Sequence, residues 1–142
     1  MTAQACIYNP NPSMTGSKVL DTFKQVRSYK GKGGGESGAT GMVVDIGVAK
    51  IEFNFMTSSD VADHLNGFMG FAQSCIKNKD KLVYTLGRIH DVKLVMGCVI
   101  EPGFDKDKVV QGFLLEYVNR LNGLLFVNNM ILDYDGEVLN KE

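Results

Sequence analysis

Residues 42–56 read MVVDIGVAKIEFNFM and carry the strongest strand pattern in the chain. The apolar residues that alternate with polar or small ones are Val44, Ile46, Val48, Ile51, Phe53 and Phe55. The apolar phase shifts by one residue between Val48 and Lys50, and a side-chain period of two cannot shift without a break in the strand. We therefore predict a bulge or a tight hairpin turn at Gly47, joining two shorter strands.

The chain downstream alternates between helical and strand patterns. Apolar residues recur at helical spacing, and the first stripe consists of Val61, Leu65, Phe68, Ala72 and Ile76. Gly67 and Gly70 lie elsewhere on that helix, and we expect close packing at these two positions. A second helix is predicted for residues 79–90, although Val83-Tyr84-Thr85 also has strand propensity. Residues 93–100 form an almost continuous apolar run, which is typical of a strand buried on both faces.

The C-terminal third of the sequence begins with the clearest helix. Asp105 is a suitable N-cap, and a wide apolar face then extends to Leu121, before Gly123. Residues 124–127 and 130–132 read as short strands, and polar turn residues follow both of them. Because strands and helices alternate, the predicted fold is α+β: a mixed β-sheet of four to five strands with two to three helices packed on it in a single domain.

A change in composition near residue 41 divides the sequence. Residues 31–41 read GKGGGESGATG and contain six glycines, so they predict a flexible loop. Residues 17–29 fit a short helix, and residues 1–16 read as an extended lead-in. The sequence therefore predicts an N-terminal segment, 1–41, followed by an α+β domain over 42–142.

Residues 60–139 contain several sequence motifs that are similar to those of a known domain family. They comprise Gly67-Phe68-Met69-Gly70-Phe71, Val95-Met96-Gly97-Cys98, the run from Leu121 to Val127 and Leu132-Asp133-Tyr134-Asp135-Gly136. In these motifs the chain resembles an uncharacterised bacterial family that is known only as a domain of unknown function. The resemblance implies a bacterial, cytosolic α+β domain and assigns no activity or catalytic residue.

The composition excludes several classes of protein. The 142 residues include 15 Lys and Arg against 16 Asp and Glu, which argues against a basic nucleic-acid-binding surface. The sequence contains no run of about 18 apolar residues, which a membrane helix needs. The N-terminus lacks the pattern of a signal peptide. The three cysteines, Cys6, Cys75 and Cys98, have no paired spacing, so we expect free thiols in a reducing cytoplasm.

The glycine-rich segment contains the one candidate ligand site of the sequence. Gly33, Gly35 and Gly38 match GxGxxG, a pattern in which backbone amides can approach a phosphate. The fingerprint requires a strand before it and a helix after it, and here the predicted order is reversed. The candidate ligand-binding residues are Lys32, Gly33, Gly35, Glu36, Ser37 and Gly38.

Two other candidate sites are disfavoured by their chemistry. A calcium loop over residues 131–142 would need a ligand at Ile131, so a turn explains Asp133-Tyr134-Asp135-Gly136 better. A nucleophile pair of Cys98 and His90, oriented by Asp91, would place the thiol inside an apolar run, where cysteine is usually an inert core residue. His64 is expected on a solvated helix face. No metal, cofactor or catalytic residue is predicted.

Two classes of function remain open. The first is a non-catalytic binding or assembly module, immunity-like or regulatory, that binds a protein partner or self-associates through a sheet edge or the Gly67/Gly70 face. It requires neither nucleic acid nor a membrane. The second is a small-molecule or phosphate-binding domain, or a small enzyme, that uses the glycine-rich loop 31–41. The first is favoured because the sequence contains no coherent set of acid, base, nucleophile or metal ligands.

Overall fold

The computed structural model describes residues 3–11, 17–33, 39–101 and 108–140. The strands are β1 (Ala3–Asn9), β2 (Ser28–Gly33), β3 (Ala39–Asp45), β4 (Lys50–Phe55), β5 (Leu94–Glu101), β6 (Leu124–Val127) and β7 (Met130–Leu132). The helices are α1 (Ser17–Leu20), which is a single turn, α2 (Ser58–Cys75), α3 (Lys79–His90) and α4 (Lys108–Leu121). The predicted α+β class is confirmed.

The strands pair into one open sheet in the order β2-β3-β4-β5-β1-β6-β7. Each neighbouring pair among the described strands is antiparallel. The predicted mixed sheet of four to five strands is therefore wrong in both respects. The two strands that sequence analysis missed are β1 and β2, which both lie before residue 41.

The N-terminal segment is part of the sheet. β1 lies between β5 and β6, with Ile7 opposite both Met96 and Leu125, so residues 3–9 are a central strand and not a lead-in. The predicted helix over 17–29 is limited to Ser17–Leu20, and β2 begins at Ser28. Within the predicted flexible loop 31–41, residues 31–33 and 39–41 belong to paired strands, whereas 34–38 lie outside the described residues.

The strand pattern around Gly47 is confirmed as a hairpin. Gly47 has a φ of 86° and lies in the turn between β3 and β4, which is closed by a hydrogen bond from Ile46 N to Ala49 O. A positive φ is strained for residues with a Cβ, so glycine suits this turn. The predicted helix over 79–90 is confirmed as α3, and the predicted strand over 93–100 is confirmed as β5. Its expected burial on both faces is wrong, because Gly97 and Val99 on one face are only half-buried.

One face of the sheet is covered by α4 and the segment around α1. Buried residues of α4 pack on apolar residues from β1 and from β3 to β7. At the centre of this layer, the Tyr117 ring lies edge-on to Phe53, with their centroids 5.6 Å apart, and stacks near Phe113. This core is continuous beneath almost the whole width of the sheet.

The other face is covered by α2 and α3 over only part of the sheet. The buried residues of α2 pack on Tyr8 of β1, Val95 of β5 and Leu124 of β6. Gly67 and Gly70 point away from this contact: both are exposed, and a Cβ at either would meet nothing within 4 Å. The expectation of close packing at these glycines is therefore wrong within this chain.

Both outer edges of the sheet are protected from strand pairing. Along β7, Leu139 N donates to Ile131 O, and Asn140 Oδ1 accepts from Ile131 N, so the following segment covers that edge. The other edge, β2, carries Lys30 and Lys32 and has a register shift before Gly33. Lysines and bulges at edge strands disfavour pairing with a second chain.

A buried carboxylate holds the turn after β7 against α3. Asp133 is 4% exposed, and its Oδ2 accepts a hydrogen bond of 2.6 Å from the Tyr84 hydroxyl. Its Oδ1 lies 3.5 Å from Nη2 of Arg88 and accepts from Tyr134 N. Burial and the Asp133 carboxylate raise the pKa of Tyr84 to about 12, so its hydroxyl remains a donor at neutral pH.

Removal of the hydroxyl should stabilise the protein at Tyr117 and destabilise it at Tyr84. The Tyr117 hydroxyl is buried and has no hydrogen-bond partner among the described residues, whereas that of Tyr84 donates to a buried carboxylate. Tyr117→Phe should raise the free energy of unfolding by about 1 kcal/mol, because it removes an unsatisfied polar group. Tyr84→Phe should lower it by about 1–3 kcal/mol, because it removes a donor to a charged acceptor.

Chemical denaturation of the two variants beside the wild-type chain measures both effects. A loss of stability in Tyr117→Phe comparable to that in Tyr84→Phe would contradict the assignment of the unsatisfied hydroxyl.

Candidate functional site

A row of side chains crosses six strands of the sheet, from the part that α2 and α3 leave open to Phe126, which packs against α2. Directly paired residues point to the same face of a sheet. The pairings place this row in the order Lys32, Gly41, Asn54, Gly97, Cys6 and Phe126. A second row beside it consists of Lys30, Val43, Glu52, Val99 and Gln4. We call the part of the sheet that carries these rows the open face.

A cavity of about 500 Å³ lies on the open face, above β5, β1 and β6. Its side-chain lining comes from Gln4, Cys6, Asn54, Val99, Phe126, Asn128 and Asn129. The floor is the backbone of β5 at Gly97, and the turn between β6 and β7 forms one wall. Among the described residues that line it, none carries a formal charge. The volume is within the range of small-molecule sites.

Gly97 opens the floor of the cavity without being required by the fold. A Cβ at Gly97 would meet its nearest atom, Asn54 O, at 3.8 Å, which is ordinary van der Waals contact. Glycine weakens the interior of a strand and often marks a place where a ligand approaches the backbone. Gly41 in the same row differs, since a Cβ there would overlap Phe53 O. Gly41 is therefore required by strand packing, and Gly97 is not.

A polar network borders the cavity at Asn54. Lys32 Nζ donates to the Glu52 carboxylate and, at 2.9 Å, to Asn54 Oδ1. The lysine starts two strands away, about 10 Å, and can cross β3 because Gly41 has no side chain. The hydrogen bond and charge of Lys32 lower the pKa of Glu52, so the two side chains form a neutral ion pair at the edge of the cavity.

The opposite side of the cavity is continuous with the aromatic layer under α2. The Phe126 ring lies edge-on to Phe68 and Phe71, at centroid distances of 5.6 and 5.1 Å. Tyr8 stacks on Phe68 at 4.0 Å, and its hydroxyl is 2.9 Å from Nε2 of His64. His64 is thus half-buried and bonded to Tyr8, not fully solvated as predicted.

Cys6 is the one ionisable side chain that lines the cavity among the described residues. Burial raises the pKa of its thiol, so the thiol stays protonated at neutral pH and is a poor nucleophile. The other lining groups are carboxamides, an aromatic ring and an aliphatic side chain. Carboxamides donate and accept hydrogen bonds but do not change their protonation state near neutral pH. The described part of the lining therefore offers groups that can bind a ligand through hydrogen bonds and apolar contact.

The predicted glycine-loop site is described only at its start. Lys32 is paired with Glu52 and Asn54, and Gly33 has a φ of 73° at the end of β2. The other predicted ligands lie outside the described residues, namely Gly35, Glu36, Ser37 and Gly38. Phosphate binding by this segment stays a prediction.

The disfavoured nucleophile pair of Cys98 and His90 lies in two different parts of the structure. Cys98 is 2% exposed in the layer under α4, and burial raises the pKa of its thiol. His90 and Asp91 are exposed at the end of α3, with Nδ1 and Oδ1 3.8 Å apart. The described ranges contain no group of three His, Cys, Asp or Glu side chains placed to hold a metal ion. They also contain no helix with the length and apolar character needed to cross a membrane.

Sequence reasoning missed the lining of the cavity because its residues come from four separate strands and one turn. The one local signal is Gly97, a glycine inside the apolar run 93–100. Comparisons of the chain with protein-family models, with curated proteins and with solved structures give no match. The resemblance to a bacterial family of unknown function therefore stays a prediction.

Alanine substitutions at Gly41 and Gly97 distinguish a glycine that strand packing requires from one that it does not. Gly97→Ala should raise the free energy of unfolding by roughly 0.5–1 kcal/mol, because it restricts the unfolded chain and its Cβ fits without overlap. Gly41→Ala should lower it by about 1–3 kcal/mol, because its Cβ overlaps a backbone carbonyl. Denaturant titrations of both variants measure the difference. Equal destabilisation would show that Gly97 is a packing glycine and not the open floor of a cavity.

Proposed function

We propose that this chain is a non-catalytic binding module whose ligand occupies the cavity on the open face. The observation that carries the proposal is the glycine floor at Gly97, beside carboxamide and aromatic side chains. A polar strand face that only contacts water has no need of a glycine in a central strand. A ligand that rests on the backbone accounts for both the cavity and the weak strand position.

The chemistry of the lining supports binding over catalysis. The carboxamides of Gln4 and Asn54 supply donors and acceptors, and the thiol of Cys6 is held protonated by burial. The charges of Lys32, which bonds to the lining residue Asn54, and of Glu52 neutralise each other. These groups orient a ligand but do not supply a nucleophile or a general base.

Assembly through a sheet edge is less well supported than binding in the cavity. The segment that includes Leu139 and Asn140 covers β7, and two lysines and a register shift protect β2. Self-association through β7 would have to displace the covering segment. Self-association through β2 would have to overcome the lysines and the register shift. A protein partner that inserts a side chain into the cavity remains within the proposal.

Fragment mapping by NMR tests this proposal. A ¹⁵N-labelled chain is titrated with a library of charged and uncharged small molecules, and backbone amide shifts are followed. We expect saturable shifts in 4–6, 97–99 and 126–129. Gly97→Val should abolish them, because its methyl groups fill the floor. Gly112→Ala is the matched control, since Gly112 is exposed on α4 and has open space around it.

The site would be misplaced if saturable shifts clustered instead around Lys81, where clefts lie beside α3. Shifts around the cavity that persist in Gly97→Val would also contradict the proposal.

A further inference from the structure

We infer that the cavity on the open face binds a planar, uncharged heterocycle with a hydrogen-bond donor beside an acceptor, which is the chemistry of a nucleobase. The inference rests on the proposed function and names the ligand class of that same site. Three features of the cavity point to it: its charge, its hydrogen-bonding groups and the shape of its floor.

The charge of the cavity favours a neutral ligand. Its described lining residues carry no formal charge, and Lys32, which contacts the lining residue Asn54, is already bonded to the Glu52 carboxylate. A phosphate at this site would have to separate Lys32 from Glu52 and would lie beside the carboxylate that it displaced. The ligand therefore gains nothing from a negative charge here.

The hydrogen-bonding groups of the lining are carboxamides. Each presents a carbonyl acceptor beside an NH₂ donor, an arrangement that bonds in pairs to the edges of nucleobases. Lys32 bonds to Asn54 Oδ1, which orients that amide and leaves its NH₂ group as a donor. Gln4 lies two residues before Cys6 on β1, opposite Val99. Its side chain is exposed and can bend over a ligand in the cavity.

The floor and one side of the cavity suit a flat ring. In the row across the sheet, Gly97 lies between Asn54 and Cys6, and Phe126 follows Cys6. Asn54 and Phe126 are three strand spacings apart, about 14 Å. A ring can thus lie over the bare backbone of Gly97, with an aromatic neighbour at one end and an amide at the other.

Calorimetric titration of the full chain tests the inference with a defined panel of ligands. The panel consists of adenosine, guanosine, cytidine and uridine, the corresponding monophosphates, inorganic phosphate, pyrophosphate and glucose. We expect at least one nucleoside to bind, and its monophosphate to bind no more tightly. Gly97→Val should weaken the binding of that nucleoside at least tenfold, because the valine side chain occupies the floor of the cavity.

Matched glutamine variants locate the hydrogen bonds. Gln4→Ala should weaken nucleoside binding by roughly tenfold, the expected effect of losing a paired contact to a base edge. Gln73→Ala should leave it unchanged, because Gln73 is exposed on α2 and does not line the cavity. Circular dichroism of each variant verifies that the fold is intact.

Each contrary outcome has a distinct meaning. If no nucleoside binds but glucose or a fragment binds and is blocked by Gly97→Val, the ligand class is wrong and the proposed function stands. If phosphate or pyrophosphate binds as tightly as the nucleotides, recognition of the neutral ring is overturned. If no member of the panel or of the fragment library binds at the cavity, both the inference and the proposed function fail.

Discussion

The structure depends on an unequal covering of one wide sheet. The layer of α4 and the N-terminal segment buries apolar side chains from β1 and from β3 to β7 on one face. On the other face, the layer of α2 and α3 covers only the part around Tyr8, Val95, Leu124 and Ile131, which lie in β1, β5, β6 and β7. Burial of apolar area is the main favourable term in folding, so the uncovered strands must carry polar or small residues on that side.

That constraint shapes the rows across the open face. The polar and small residues there are two lysines, one carboxylate, two carboxamides and two glycines, and the apolar ones are half-buried: Cys6, Val43, Val99 and Phe126. Lys32 and Glu52 neutralise each other where β2 and β4 face solvent. The border between covered and uncovered strands is where an aromatic layer, amides and bare backbone meet. A ligand site at this border needs no separate domain, because the edge of the helical layer creates it.

Elements with a strong local period could be predicted from the sequence. The hairpin at Gly47 and the helix α3 were predicted because one phase shift and one apolar stripe within about 15 residues determine them. β1 could not be predicted, since Ala3–Asn9 is defined by its partners β5 and β6, about 90 and 120 residues away in the chain. β2 is an exposed, polar edge strand and therefore has no hydrophobic alternation to detect.

The candidate site was missed for a related reason. Asn54, Gly97 and Cys6 are neighbours only through the register of the sheet. Composition drew attention to the glycine-rich segment instead, whose Lys32 proves to be bonded to Glu52 and Asn54. A single glycine in an apolar run has two meanings, close packing or open space, and only the neighbouring strands distinguish them.

The unequal covering of the sheet can be measured directly with a neutral gadolinium chelate, which broadens NMR signals of solvent-facing methyl groups. Val43 and Val44 are adjacent on β3, and Val95 and Val99 share β5, so each strand contains its own control. We expect strong broadening of the Val43 and Val99 methyl signals and protection of Val44 and Val95, which are fully buried. Equal protection of all four would show that the open face is covered and would contradict this account.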